Sequence, residues 1–99
     1  MILPYWVYIL QSQKDGQLYT GMTKDLSGRL EAHNHGRVPS TKHRLPLKLI
    51  YSEEVSNSQN ARVREKYWKS GAGREKLQTM IDQQAKIGSP AFGGQARRT

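Results

Sequence analysis

The spacing of hydrophobic residues near the start of the chain predicts a β-hairpin. Aromatic and β-branched residues are frequent from Tyr5 to Leu10 and again, less strongly, from Leu18 to Thr23, as is typical of strands. Asp15 and Gly16 lie between the two runs, and this dipeptide favours a two-residue turn because both residues tolerate positive φ. We therefore expect two antiparallel strands joined by a tight turn.

The hairpin has two chemically different faces because side chains alternate along a strand. A two-residue turn places Tyr8 opposite Thr23 and Ser12 opposite Tyr19. The more apolar face is predicted to cover the core. The other face carries two phenols and a glycine and is a candidate for chemistry, although ordinary amphipathic strands also carry tyrosines. The predicted core face consists of Tyr5, Val7, Ile9, Leu18, Thr20 and Met22, and the second face of Trp6, Tyr8, Leu10, Tyr19, Gly21 and Thr23.

A short helix is predicted over residues 26–34. Asp25 is suited to cap its N-terminus, and Gly36 is suited to end it. His33 lies on the same helical stripe as two leucines, and Arg29 lies beside that stripe. An imidazole and a guanidinium are thus expected at the edge of a packing face.

The region after residue 46 predicts a strand and two helices. Residues 47–54 alternate between apolar and polar positions, with Leu47, Leu49 and Tyr51 on one face. Ser56 opens a capping box for a helix that runs to residue 70, and Gly71 is expected to end that helix in the left-handed conformation. A last helix is predicted from Arg74 to about Lys86, with an apolar stripe formed by Leu77, Met80 and Ile81.

The order β-β-α-β-α-α predicts an α+β domain over residues 1–86, in which helices flank one three-stranded sheet. The first two strands are antiparallel, and the pattern leaves the position of the third strand in the sheet open. Residues 87–99 are rich in Gly, Ser, Pro, Ala and Gln and contain Arg97 and Arg98. This composition predicts a disordered basic tail.

The charge of the chain favours a polyanionic partner. Sixteen Lys and Arg residues against eight Asp and Glu residues give a net charge of +8 and a pI near 10.1. The positive charge could instead serve solubility alone. No acidic residue occurs from Ala32 to Tyr51, and this stretch contains all three histidines together with Arg37, Lys42, Arg44 and Lys48. The loop within it is therefore the predicted phosphate-binding region.

Two absences in the sequence narrow the possible classes of protein. The chain has no cysteine, which excludes disulfides, thiolate metal sites and cysteine nucleophiles and fits a reducing cytoplasm. No apolar run approaches the length that a membrane span needs. We expect a cytoplasmic protein without a membrane anchor.

Several motifs in the same order resemble the GIY-YIG nuclease superfamily. Trp6-Val7-Tyr8 and Tyr19-Thr20-Gly21 resemble the two triplets of its name, and Arg29 follows eight residues after Gly21. Trp6 and Thr20 depart from the name in the manner of the small stand-alone members. The resemblance continues through Asp25-Leu26, Arg29-Leu30, His33-Asn34, Ser40-Thr41-Lys42, Pro46, Leu49-Ile50-Tyr51, Arg64-Glu65-Lys66, Lys69-Ser70-Gly71 and Arg74-Glu75.

The resemblance implies a small antiparallel sheet between helices and a site that hydrolyses phosphodiesters. It implies Tyr8 as the general base and Tyr19 as a positioning group, with roles that vary among members. It further implies that Arg29 binds the phosphate and that His33 matches a histidine found in many members. The remaining positions that it implies are Gly21 as the glycine of the second triplet, Glu65 as the single metal ligand and, as its weakest assignment, Lys69 at the edge of the site.

Elementary chemistry is compatible with these roles. Arg29 can form a two-pronged contact with a phosphate, and a single carboxylate such as Glu65 can hold Mg²⁺ whose remaining ligands are water and phosphate oxygens. Tyr8 or Tyr19 can accept a proton only if its pKa is shifted, and a cation nearby favours the phenolate. Glu65 could instead be an ordinary ion-paired residue of a helix surface.

The sequence thus predicts a Mg²⁺- or Mn²⁺-dependent DNA endonuclease of low sequence specificity. Structure-selective cleavage in DNA repair or recombination is one use that the resemblance implies. The alternatives are a non-catalytic nucleic-acid-binding module with the same fold and a purely structural interaction domain, and RNA stays open as a substrate. We expect a monomer or a weak homodimer.

Overall fold

The computed structural model describes residues 4–87, which form three strands and three helices in the predicted order. No helix in these residues is long and apolar enough to cross a membrane. Residues 88–99, which make up the predicted tail except for its first residue, lie outside the described part of the chain. The elements are β1 (Tyr5–Ser12), β2 (Leu18–Thr23), α1 (Leu26–Asn34), β3 (Leu47–Val55), α2 (Ser58–Lys69) and α3 (Gly71–Ile87).

The three strands form one antiparallel sheet in the order β2-β1-β3, so that β1 is the central strand. Helices cover both faces, which confirms the α+β architecture. Helix α1 packs on one face through two leucines, and helices α2 and α3 pack on the other. Strand β1 is therefore buried on both sides, and residues 7–10 are all at most 1% exposed.

The predicted hairpin register is wrong by two residues. Tyr8 lies opposite Gly21 and Leu10 opposite Tyr19, because the turn contains four residues rather than two. The Ser12 amide donates to the Gln17 carbonyl at 2.9 Å and closes the loop. The Ser12 hydroxyl also accepts from two turn amides, which stabilises the longer loop.

A shift of two residues leaves every side chain on its predicted face. The predicted core face is confirmed. Val7 and Ile9 are fully buried there against Ile50 of β3 and against side chains of α2 and α3, and Leu18 and Met22 pack at its edge. The helix residues that complete this core are Ala61, Trp68 and Leu77.

A β-bulge in β3 changes the predicted alternation of that strand. Ile9 pairs with Tyr51 but Leu10 pairs with Leu49, so that Ile50 is the extra residue. Leu49 therefore packs on the tyrosine face, while Ile50 and Tyr51 both pack on the α2 side. The prediction that Leu49 and Tyr51 share a face is wrong for this reason.

The first helix has the predicted bounds and cap, since the Asp25 carboxylate accepts from the Gly28 amide at 3.1 Å. Gly36 follows it with φ of +74°. The predicted cap of α2 is wrong by one residue. Asn57, and not Ser56, accepts from the Asn60 amide, at 2.8 Å.

The connection between α2 and α3 also differs from the prediction. Gly71 does not take a left-handed conformation and instead begins α3, three residues before its predicted start. The Ser70 hydroxyl accepts from the Gly73 amide, which caps α3 at the residue where α2 ends. Gly73 lies against the Tyr67 carbonyl, where a side chain would collide with the backbone. This close approach sets the angle between the two helices. Leu77 is buried and Met80 and Ile81 pack on the core, as predicted.

Candidate active site

The two tyrosines of the hairpin lie side by side on the sheet face that α1 covers. The ring centroids of Tyr8 and Tyr19 are 6.3 Å apart, and Tyr8 is fully buried. Gly21 is the cross-strand neighbour of Tyr8, and the phenol lies directly over it. A Cβ at Gly21 would be 2.6 Å from the Tyr8 hydroxyl oxygen and 2.7 Å from Cζ, so only glycine leaves room for this phenol.

Helix α1 brings an imidazole and a guanidinium to the Tyr8 hydroxyl. His33 Nε2 lies 3.0 Å from this oxygen, and Arg29 Nε donates to it at 3.4 Å. His33 is fully buried and also meets the Tyr19 ring edge-on, at a centroid distance of 5.0 Å. Three residues from two elements thus surround the Tyr8 phenol and complete a cluster of four: Tyr8, Tyr19, Arg29 and His33.

Burial controls the protonation of this cluster. It raises the pKa of Tyr8 above 10, and the hydrogen bond from Arg29 opposes this effect without cancelling it. Burial, aided by the positive charge of Arg29, lowers the pKa of His33 to about 4. Phenol and imidazole are therefore both neutral at pH 7. Arg29 does favour the phenolate of Tyr8, as expected from the sequence, but desolvation outweighs it.

The second nitrogen of His33 contacts a threonine of the basic loop. Thr41 Oγ1 lies 2.8 Å from His33 Nδ1, and Thr41 is fully buried. We assign Thr41 no role from the sequence, where it is only part of the Ser40-Thr41-Lys42 motif. Membership of that motif is the one sequence signal that could have identified Thr41, because residues of an irregular loop follow no helical or strand periodicity.

The basic loop, residues 35–46, is tied to the hairpin turn. The Ser12 hydroxyl donates to the Arg44 carbonyl at 2.7 Å, and the Gln13 amide donates to the Pro46 carbonyl at 2.9 Å. Lys14 Nζ donates to the His43 carbonyl at 3.3 Å. Lys14 is a basic residue of this surface that the sequence analysis missed, since the turn and the loop are far apart in sequence.

The predicted phosphate-binding residues lie on the outside of this framework. Arg37, Lys42 and Lys48 are exposed, and Arg44 is half-buried. The Arg37 and Lys42 amides donate to the Ala32 and Val38 carbonyls, the Arg44 carbonyl accepts from Ser12, and Lys48 pairs with β1. Their charges therefore project from an ordered surface. His35 and His43 are exposed as well, consistent with solvated loop histidines.

In the described residues Glu65 makes no hydrogen bond or ion pair with the tyrosine cluster. It lies on α2, on the stripe that Ala61 and Trp68 bury against the opposite face of the sheet. Its side chain is 24% exposed, and Oε2 accepts from Lys69 Nζ at 3.3 Å. No hydrogen bond or ring contact in residues 4–87 joins it to the four residues around the Tyr8 hydroxyl.

The donor set around Glu65 is compatible with a weakly ligated divalent ion. No group of three or more His, Asp or Glu side chains that could hold a metal occurs in the described residues. Only one oxygen of Glu65 is hydrogen-bonded there, to Lys69, so the other is available. One available carboxylate oxygen suits Mg²⁺, which often takes a single protein carboxylate and completes its shell with water and substrate oxygens. A tightly held structural ion would need more ligands.

A second charged cluster lies on the α2 side of the sheet. Arg64 makes a two-pronged ion pair with Glu53 at 2.6 and 3.1 Å, and the Tyr51 hydroxyl donates to the same carboxylate at 2.9 Å. Arg64 also stacks over the rings of Tyr67 and Trp68. This cluster fastens α2 to β3 and is structural.

Comparisons with known proteins identify relatives of this chain. A UPF0213 protein of Streptococcus agalactiae is 41% identical over 76 residues, which cover 76% of this chain and 85% of that protein. One of Clostridium perfringens is 42% identical over 82 residues, covering 82% and 87%. The solution NMR structure of a UPF0213 protein from Bacillus halodurans is 30% identical, covers 78% of this chain and 84% of that one, and gives a TM-score of 0.49.

The family model for the GIY-YIG catalytic domain matches residues 4–78. This range begins at the residue before β1, contains both tyrosine triplets, α1 and α2, and ends inside α3. With a match over most of its length and relatives above 40% identity, the chain belongs to the GIY-YIG family of nuclease domains.

Proposed function

We propose that this protein is a metal-dependent endonuclease that hydrolyses phosphodiester bonds of DNA with low sequence specificity. The observation that carries the proposal is the Tyr8 hydroxyl, which lies between Arg29 Nε at 3.4 Å and His33 Nε2 at 3.0 Å. Such an oxygen, oriented by two groups and flanked by a cation, suits the transfer of a proton from an attacking water.

Arg29 is suited to bind the scissile phosphate. Its Nε donates to the Tyr8 hydroxyl, and a further side-chain hydrogen bond links the guanidinium to Tyr19. The residue is exposed, so its terminal N–H groups can reach a bound phosphate. Arg29 would thus hold the phosphate next to the oxygen that accepts the water proton.

Tyr8 would accept that proton as the phenolate. The water oxygen bonds to phosphorus as its proton moves to the Tyr8 phenolate oxygen, and the bond from phosphorus to the leaving oxygen breaks. The leaving oxygen keeps the bonding electron pair and takes a proton from solvent. Because burial raises the pKa of Tyr8, the reactive form is a minor one at pH 7. Tyr19, whose ring packs beside Tyr8, would position the water or the phosphate.

A divalent ion, Mg²⁺ or Mn²⁺, would be held by Glu65. When bound, it supplies positive charge that neutralises the phosphate and the leaving oxygen. Lys69, which is ion-paired with Glu65, would contact the substrate at the edge of the site.

A nucleic acid is the class of substrate that the charge distribution favours, and DNA is the one that we propose. The exposed cations of the basic loop suit a phosphate backbone, and phosphate contacts alone carry no sequence information. This supports low sequence specificity. A selectivity for branched or damaged DNA, as in repair or recombination, is compatible with it.

Nicking of supercoiled plasmid tests the proposal. We expect nicking with Mg²⁺ or Mn²⁺ and none with EDTA. Tyr8→Phe, Arg29→Lys and Glu65→Gln should each reduce the rate by about 10²-fold or more, because each removes a separate part of the reaction. The matched controls Tyr5→Phe, Arg62→Lys and Glu75→Gln, all outside the cluster, should retain the rate.

A different outcome distinguishes the alternative. If wild-type protein binds DNA but no DNA form, plasmid or branched, is cleaved with either metal, the protein is a non-catalytic binding module. Cleavage of RNA in preference to DNA under the same conditions would overturn the substrate assignment but not the chemistry.

A further inference from the structure

Thr41 is a buried polar residue to which neither the family motif nor the proposed chemistry gives a role. It is fully buried in the basic loop, eight residues after His33. Its hydroxyl oxygen lies 2.8 Å from His33 Nδ1, on the side of the imidazole away from Tyr8. The ring is therefore held at both nitrogens.

The contacts of Thr41 allow it to set the direction of the hydrogen bonds that end at the phenol. Its hydroxyl lies 2.8 Å from His33 Nδ1 and 3.5 Å from the Val38 carbonyl, an acceptor to which it can donate. When it donates there, its lone pairs can accept from Nδ1, which then carries the imidazole proton and leaves Nε2 as an acceptor. In this arrangement the Tyr8 hydroxyl donates to His33 and accepts from Arg29.

We propose that Thr41 is a positioning residue that acts through His33 on Tyr8. By holding the proton on Nδ1, it directs the Tyr8 O–H bond toward His33 Nε2. The lone pairs of the phenol oxygen then face Arg29 and the incoming water. The effect on rate rests on the proposed nuclease function, but the tautomer of His33 exists without substrate and can be measured separately.

A packing role for Thr41 would give the opposite result in two substitutions. Thr41→Val keeps the shape and removes the hydroxyl, whereas Thr41→Ser keeps the hydroxyl and removes a methyl group. If shape matters, Val is tolerated and Ser is not. If the hydroxyl matters, Ser is tolerated and Val is not. The titratable groups that face His33, namely Tyr8, Tyr19 and Arg29, are the same in both variants.

The kinetic test measures kcat and KM for nicking in both variants. We expect Thr41→Val to lower kcat on the order of 10²-fold with little change in KM, because Tyr8 is misaligned while DNA contacts persist. The kcat of Thr41→Ser should stay within about threefold of the wild-type value, because this variant keeps the hydroxyl. The control is Thr20→Val. This second buried threonine is on the other face of the sheet, and its hydroxyl has no partner in the described residues.

A measurement that does not depend on nuclease activity completes the test. Imidazole ¹⁵N shifts of wild-type protein should show His33 protonated at Nδ1 and bare at Nε2 from pH 6 to 8, and Thr41→Ser should retain that pattern. An Nε2-protonated or doubly protonated His33 would overturn the proposal, as would a Thr41→Ser variant as slow as Thr41→Val. If Thr41→Val fails to fold, the tautomer and the Ser variant decide. If the wild type does not cleave, the proposed function fails while the ¹⁵N spectrum still decides the role of Thr41.

Discussion

Gly21 is the residue whose identity the site constrains most directly. Its φ is not in the left-handed region, so the backbone does not require glycine there. The requirement comes from the phenol of Tyr8, which occupies the space of a side chain at Gly21. Because Gly21 has no Cβ, the Tyr8 phenol can lie over β2. The identity of this one residue therefore determines where the Tyr8 hydroxyl oxygen lies.

Gly21→Ala should displace Tyr8 and destabilise the fold. The new methyl would lie 2.6 Å from the Tyr8 hydroxyl oxygen, and Tyr8 is too tightly enclosed to move freely. We expect a loss of about 1–3 kcal/mol in the free energy of unfolding, together with loss of nicking. Urea denaturation and the plasmid assay measure both. Gly71→Ala is the matched control, because no atom lies within 4 Å of a Cβ there, and its stability should be equal or slightly higher. Equal stability of both variants would contradict this explanation.

His33 should make the stability of the protein depend on pH. Its pKa is about 4 in the folded protein and near 6.5 when unfolded, so between these values the unfolded chain binds the extra proton. The contribution is complete above about pH 6.5 and is lost as the pH falls toward 4. It amounts to about 3 kcal/mol at most, from 1.36 kcal/mol per pKa unit.

Urea denaturation between pH 7 and pH 4.5 checks this prediction. Wild type should lose stability over this range, and His33→Gln should lose clearly less, although it starts from a lower value. His43→Gln, at an exposed loop position, should follow the wild-type curve. Parallel curves for wild type and His33→Gln would show that carboxyl groups alone cause the pH dependence.

The attachment of α2 to β3 depends on a planar guanidinium. Glu53 is 15% exposed and accepts two bonds from Arg64 and one from Tyr51. The ion pair and that hydroxyl hold the pKa of Glu53 low despite its burial. Lysine cannot supply the two-pronged contact or the stacking over the aromatic rings.

Arg64→Lys should therefore lower stability by about 1–2 kcal/mol, because the largely buried Glu53 carboxylate is left with weaker hydrogen bonds. Thermal or urea denaturation measures the loss. Arg62→Lys is the matched control on the exposed side of the same helix, and it should change stability by less than about 0.5 kcal/mol. A similar loss in both variants would mean that helix charge, and not the Glu53 contact, is responsible.

The elements show what local sequence signals can and cannot predict. Helix α1 was predicted to the residue because its cap, Asp25, and its ending glycine, Gly36, are both local. The hairpin register was wrong because the Ser12 hydroxyl, and not the Asp15-Gly16 pair, determines where pairing ends. The bulge at Ile50 was not predictable, since it depends on how β3 pairs with β1.

The same division holds for the site. Tyr8, Tyr19, Arg29 and His33 were all selected from motifs and from helical and strand periodicity, and the fold brings them together. Thr41 was not selected, because its contact to His33 joins a loop to a helix and follows no period. The net effect on the pKa of Tyr8 was also not predictable, because it depends on burial, which the sequence does not state.

At the scale of the whole molecule, the described residues include one basic surface built from two segments that are far apart in sequence. The basic loop and the turn residue Lys14 belong to one ordered surface, joined by hydrogen bonds between residues 12–14 and 43–46. Helix α3 packs on the opposite side of the sheet. Its exposed Lys76 contributes the same formal charge without belonging to that surface.

This distribution predicts which lysines affect the salt dependence of DNA binding. A residue that contacts a phosphate releases counterions on binding, so its loss lowers the slope of log K against log salt concentration by about 0.9. Lys42→Ala should therefore reduce both affinity and slope, by equal amounts on duplexes of unrelated sequence. Lys76→Ala, which removes the same charge from the other side, should change the slope little. Fluorescence anisotropy with labelled duplexes in EDTA, from about 50 to 200 mM salt, measures binding without cleavage. Equal reductions for both lysines would mean that net charge alone attracts DNA and that the loop is not the binding surface.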